Sequence, residues 1–159
     1  MMNLTPVPTV ILDLSAIIEL AHRVAKDAHH NQTRSLMKKT TSTKLQAPPP
    51  YIVHPEAVAD LLEPRWKPLG YLHDVMDENP EDYPEAKMRD LFPAWIVDRL
   101  VLLRRIDGQN YDDYVVLNSD DEGTRKTKIA DLRDNLKDLS KGSLRDKYRL
   151  ALRLLGETP

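Results

Sequence analysis

The 159-residue sequence contains no cysteine. That excludes a disulfide framework and any thiolate metal site, so a metal held by this chain must be held by His, Asp and Glu. Glycine is scarce, at five residues, and no GxxxxGK pattern occurs. The phosphate-cradling P-loop is therefore missing, which favours release of phosphate to water over phosphoryl transfer between nucleotides. No apolar run approaches the ~18 residues needed to cross a bilayer, and no basic segment followed by an apolar run opens the chain. The sequence thus predicts a cytoplasmic protein with no membrane partner. Charge of one sign is also lacking: 23 Lys and Arg stand against 25 Asp and Glu, a net charge of −2. Bulk electrostatics gives no argument for a nucleic-acid partner, and any anionic ligand must be bound by local charge. Hydrophobic residues, at 41%, are numerous enough to form a core. The length fits one domain over residues 1–159.

What is present is helical periodicity. After Asp13, a candidate N-cap, Leu14, Ile17, Ile18, Ala21, Val24, Ala25 and Ala28 recur at helical spacing. Residues 35–50 lose that period and are rich in Thr, Lys and Pro, which predicts an irregular loop beside any site formed by the residues around it. Pro55 suits the first turn of a short helix over 55–62. A helix over 68–78 places Leu69, Leu72 and Met76 inward and ends at Asn79-Pro80. Further helices are expected over 84–92, 94–104 and 111–117. Ser119 and Glu122 have capping-box spacing for a helix reaching about residue 136. Ser143 is the expected cap of a last helix carrying Leu144, Tyr148, Ala151, Leu152 and Leu155. The short apolar runs 9–12 and 51–53 have strand-like composition but stand isolated. The expected fold is all-α, a bundle of about seven or eight helices.

Four polar groupings stand out against this background. His73-Asp74 lies in GYLHDVMDE, with Asp77 one helical turn beyond His73 and Glu78 one turn beyond Asp74. Lys128, Asp131 and Asn135 form a polar stripe in KIADLRDNL, beside the apolar stripe of Ile129, Leu132 and Leu136. His54 sits in PYIVHP at a helix start. Arg34 closes HHNQTR with a guanidinium suited to bidentate phosphate binding. Each of these alone reads as a solvated helix face, a helix end or a packed histidine.

Their order along the chain is more specific. The succession A-H-x-x-Q-x-R, PYIxHP, LHDV followed by two acids, L-x-R with a tyrosine shortly after, and K-x-A-D-L-x-x-N resembles the HD-domain hydrolases of the RelA/SpoT type, including their small stand-alone alarmone hydrolases. The resemblance spans roughly residues 20–155. It implies that His54, His73, Asp74 and Asp131 hold a divalent ion, usually manganese. It implies that Asp77 and Glu78 are the catalytic acidic pair that positions or activates water, and that Arg34, Lys128 and Asn135 bind a nucleotide substrate. The family order of the acidic pair is Glu then Asp, whereas here it is Asp77 then Glu78. Ser35 stands where lysine commonly follows the arginine, and the loop over 35–50 is longer than in compact members.

Two imidazoles and two carboxylates suit Mn²⁺, Fe²⁺ or Zn²⁺, and such an ion acidifies water and polarises a phosphoryl oxygen. A carboxylate beside it can take the proton. The leading expectation is removal of the 3′-diphosphate of (p)ppGpp. Two alternatives stay open: an HD phosphohydrolase acting on a dNTP or nucleoside monophosphate, and a non-catalytic nucleotide-binding HD domain.

Overall fold

In a computed structural model, residues 3–34 and 47–159 are described. Most of the loop expected over 35–50 therefore lies outside the described residues. Nine α-helical segments run through the described part: α1 (Leu14–Ala28), α2 (Val53–Asp60), α3 (Lys67–Leu72), α4 (Val75–Glu78), α5 (Glu85–Leu91), α6 (Ala94–Leu103), α7 (Tyr111–Leu117), α8 (Glu122–Lys137) and α9 (Ser143–Leu154). α3 and α4 are two parts of the helix expected over 68–78, so the bundle has eight helical bodies and the all-α architecture that the periodicity predicts. Among the described residues there is no strand beyond an isolated antiparallel bridge between Thr33 and Pro50. The run 9–12 is bend and turn, and 51–53 is the turn into α2. No helix of the described residues is long and apolar enough to cross a membrane.

Two of the three expected caps are placed differently. Asp121, not Ser119, caps α8: its carboxylate accepts a hydrogen bond from the Thr124 backbone N–H at 3.0 Å. Ser119 has already turned into a 3-10 helix (Asn118–Asp120), and its hydroxyl donates to the Val116 carbonyl. A capping residue needs an extended backbone, which Asp121 has and Ser119 lacks. Ser143 is the first residue of α9, with Gly142 before it at φ 108°, a left-handed conformation that glycine adopts without strain. Asp13 does occupy the N-cap position of α1, at φ 54°, but makes no side-chain cap bond.

The break between α3 and α4 falls at His73 and Asp74. His73 Nδ1 lies 2.8 Å from the carbonyl of Gly70, three residues back. That side-chain bond competes with the helical ladder at this point, and it leaves Nε2 free to face outward from the core.

The core is in two parts. One, led by Leu69, Leu72, Ile96, Leu100 and Trp66, fills the space between α1, α2, α3 and α6. The other, with Tyr114, Val115, Leu132, Ala151, Leu152 and Leu155, joins α7, α8 and α9. α8 serves both, through Ala130 on one side and Ile129 and Leu132 on the other. Asp131 therefore lies on the strip of α8 between two apolar faces.

α2 crosses α3 at very short range. A Cβ added to Gly70 would lie 2.7 Å from the Ala59 Cα and 2.9 Å from its N, both backbone atoms. Only glycine permits this approach, and it is the approach that carries His54 of α2 to His73. Gly70→Ala should lower unfolding stability by about 1–3 kcal/mol, the usual cost of overpacking, because neither backbone can yield as a side chain would. Chemical denaturation reads this directly, and an unchanged midpoint would show that α2 and α3 are free to part.

Candidate metal centre

Three elements meet at one point: the start of α2, the α3–α4 break and the middle of α8. His54 Nε2 is 3.2 Å from His73 Nε2, 3.2 Å from Asp131 Oδ1 and 3.7 Å from Asp74 Oδ2. His73 Nε2 is 3.1 Å from Asp74 Oδ2 and 3.8 Å from Asp131 Oδ1. One donor atom each from His54, His73 and Asp74 lies within 4.8 Å of the other two, and Asp131 joins from the His54 side. Ligands about 2.0–2.2 Å from an ion stand roughly 3–3.5 Å apart, so the spacing fits a single first-row divalent ion. His54, His73 and Asp131 are buried and Asp74 is partly so.

Charge balance around the cluster also fits. Asp131 pairs with Lys128, Oδ2 to Nζ at 2.8 Å. Arg34 pairs with Asp134 at 2.7 Å and with Asp138 at 3.0 Å. Lys137 also reaches Asp134, at 3.2 Å; with Asp74, three cations face four carboxylates around imidazoles that ligate only when neutral, so the cluster keeps a negative balance that favours a cation. Without such an ion the imidazoles take up protons. Burial acts to lower the His54 pKa, but hydrogen bonds to Asp131 and Asp134 override it and push it up to about 9. Burial likewise opposes charge on Asp131 and Lys128, and their mutual attraction overrides it, so that both stay ionised.

Each expected donor is held by a second group. His73 Nδ1 is occupied by the Gly70 carbonyl. His54 Nδ1 is 2.7 Å from Asp134 Oδ2. Asp74 Oδ2 accepts from the Tyr51 hydroxyl at 2.6 Å, and Asp131 Oδ1 accepts from Asn135 Nδ2 at 2.6 Å. Imidazoles anchored through one nitrogen to a carboxylate or carbonyl, with the other turned to a common point, have the arrangement of metal-binding histidines. Tyr51 is placed by backbone bonds that flank the Thr33–Pro50 bridge: Tyr51 N donates to Gln32 O at 2.8 Å, and Arg34 N to Pro49 O at 3.0 Å. Behind it, the His29 ring lies 4.7 Å from the Tyr51 ring and is fixed by Gln32 at 2.8 Å. Burial lowers the His29 pKa, which keeps it neutral.

The remaining expected site residues are distributed as follows. Lys128 borders a cavity of about 180 Å³ that opens on His73, Asp74 and Asp131. Asn135 lies between Asp131 and Arg34, its Oδ1 3.3 Å from Arg34 Nη2. Arg34, expected to face a phosphate, is buried, with its guanidinium taken up by Asp134, Asp138 and Asn135. Asp77 and Glu78 are exposed, and Asp77 lines the cavity. Asp77 Oδ1 accepts from Arg104 Nε at 2.8 Å. Partial desolvation, with the charges of Asp74 and then Asp77, raises the Glu78 pKa.

Sequence reasoning missed Asp134 and Tyr51. Asp134 follows Asp131 by one helical turn, so the stripe on α8 contained the signal; its partner, 80 residues away, was not visible. Asp134→Asn keeps the side-chain volume but removes the charge that orients His54 and holds Arg34. Manganese affinity measured by calorimetry should fall by about 10–100-fold, with helicity retained. Wild-type affinity would mean that His54 needs no anchor.

The chain matches no protein-family model. It is similar to the bifunctional (p)ppGpp synthase/hydrolase SpoT of Escherichia coli K12, 30% identical over 148 residues. The same identity and extent hold for the guanosine-3′,5′-bis(diphosphate) 3′-pyrophosphohydrolases of Escherichia coli O157:H7 and Shigella flexneri. These alignments cover 81% of this chain and 19% of each relative. The chain thus spans about a fifth of the length of the curated relatives it matches.

Proposed function

We propose that this chain is an HD-type phosphohydrolase that uses a divalent metal, manganese by preference, to remove the 3′-diphosphate of (p)ppGpp in the cytoplasm. The observation that carries the reading is the convergence of His54, His73, Asp74 and Asp131, drawn from three separate helical elements, at spacings of 3.1–3.8 Å beside an open cavity. The similarity to named 3′-pyrophosphohydrolases over most of the chain supports the choice of substrate.

In this reading the four residues hold the ion, which supplies Lewis acidity toward water and a phosphoryl oxygen. The water oxygen bonds to the phosphorus attached to the ribose 3′ oxygen. The 3′ O–P bond breaks, the 3′ oxygen takes a proton, and pyrophosphate leaves. Glu78 is the base that accepts the water's proton, since its raised pKa brings it toward the range where a carboxylate works near neutrality. Asp77 lines the cavity and its charge raises the Glu78 pKa further. Lys128, at the cavity wall, offsets phosphate charge, and Asn135 contacts the nucleotide. Arg34 serves the substrate side indirectly, by fixing Asn135 and Asp134.

The deciding experiment incubates manganese-loaded protein with ppGpp, dNTPs, nucleoside monophosphates and NADPH and identifies products by mass spectrometry. GDP and pyrophosphate from ppGpp, abolished by EDTA and restored by Mn²⁺, are expected. Turnover of another nucleotide in preference would reassign the substrate, and no turnover of any would leave a nucleotide-binding domain. Glu78→Gln should reduce turnover by ~10²-fold or more with metal still bound.

The pH profile has a definite sign. A base must be deprotonated to act, so kcat/KM should climb with pH through the Glu78 pKa, which is raised from its ordinary value by partial burial and by the charges of Asp74 and Asp77. Asp77→Asn removes a negative charge that raises this pKa, so the acid limb should move to lower pH. A limb unmoved in Asp77→Asn and in Glu78→Gln would assign it to another group.

A further inference from the structure

The small cavity at the histidines does not end there. A larger one of about 620 Å³ adjoins it, and Asp77 and Arg105 line both. The two acidic and basic groups at this neck differ in state. Asp77 is neutralised by Arg104. Arg105 has no carboxylate partner among the described residues. Its Nε and Nη2 both donate to the Gln109 carbonyl, at 3.2 and 2.7 Å, and its guanidinium lies 5.7 Å from the centre of the Tyr111 ring. Gln109 is itself fixed by a turn: its N–H donates to Ile106 O at 3.0 Å, and its side-chain oxygen accepts from Ile106 N at 3.2 Å. One edge of the Arg105 fork is thus anchored on a hydrogen-bonded turn, while no carboxylate among the described residues compensates its charge.

Tyr111 supplies an independent sign of a missing partner. It lines the small cavity, and its hydroxyl is buried with no hydrogen-bond partner among the described residues. Buried hydroxyls are rarely left so. That hydroxyl lies close enough to Lys128 and Asp131 to feel both charges, and Lys147 Nζ stands 3.9 Å from the ring centre. A donor hydroxyl and a guanidinium without a carboxylate partner, both lining one cavity, match a phosphoryl group, which offers several acceptor oxygens and negative charge.

We propose that Arg105 and Tyr111 form an anion subsite for a phosphoryl group other than the one cleaved, and that the adjoining groove, walled by Val101, Leu102, Ile106 and Leu117, takes the nucleoside. This rests on the proposed phosphohydrolase reading and narrows its substrate class: a nucleotide carrying at least two phosphoryl groups, recognised by the second. Single-phosphate nucleotides lack the group that Arg105 and Tyr111 hold.

The test compares wild type with Arg105→Ala, Arg105→Lys and Tyr111→Phe, using inorganic pyrophosphate as the probe in calorimetry and ppGpp in kinetics. Arg105→Ala should weaken pyrophosphate binding and raise KM about 10–100-fold, as for loss of a charge-assisted bond, with kcat within a few-fold and manganese content unchanged. Arg105→Lys should recover part of the loss, and Tyr111→Phe should show a smaller loss of the same kind. Pyrophosphate affinity equal in wild type and Arg105→Ala, or absent in both, overturns the subsite. If ppGpp is not hydrolysed yet pyrophosphate binding depends on Arg105, the subsite stands and the substrate assignment fails.

Discussion

The close crossing of α2 and α3 is the contact on which the rest of the site depends. Gly70 lies against the Ala59 backbone with no room for a Cβ, and this sets the separation of the two helices at the level where His54 and His73 can meet. The crossing is sealed by apolar residues on either side, Val58 and Leu62 from one segment and Leu69 and Leu72 from the other. α8 then lies across the pair and delivers Asp131 from a strip between two cores. The histidines are brought together by packing of their backbones, and their rings then meet edge to face with the Nε2 atoms 3.2 Å apart.

Those carboxylates are the second constraint. A cluster this buried would be costly if any charge stood alone. Each is met: Asp131 by Lys128 and Asn135, Asp74 by Tyr51, Asp134 by Arg34 and His54. Arg34 matters here beyond its own pairings. It ties the end of the segment after α1 to the C-terminal part of α8, through Asp134 and Asp138. The polar network therefore does the work on this side of the site that apolar packing does on the other. It also aims donor atoms at one point, since the ring nitrogens of His54 and His73 that do not face that point are already bonded.

Beyond the cluster the site changes character. The cavity walls carry Asp77, Arg104 and Arg105 on short segments outside the long helices. The start of α2, the α3–α4 break and α8 hold the groups proposed for the ion, while α4 carries Asp77 and Glu78 and the turn over 104–110 carries Arg105. A substrate can then be exchanged, or a different one accommodated, by changes in the turn over 104–110 without disturbing the crossing of α2 and α3.

The amino-acid sequence by itself determined the helical class, because apolar residues recur at helical spacing in nearly every segment and no strand alternation competes. It also marked His54, His73, Asp74 and Asp131, through residue types and their order, and left Asp134 in view on the same stripe of α8 as Asp131. It misplaced the cap of α8, since Ser119 and Asp121 are both good capping residues and only the backbone path selects Asp121. It carried the helix over 68–78 straight through His73, since the bond from His73 to the Gly70 carbonyl is not a matter of periodicity. Only the tertiary structure decided that Arg34 is buried against Asp134, that Tyr51 holds Asp74, and that Arg105 and Tyr111 stand at the neck of two cavities. Each of these depends on which surfaces of distant helices face one another, and helical periodicity records only which side of a helix is apolar.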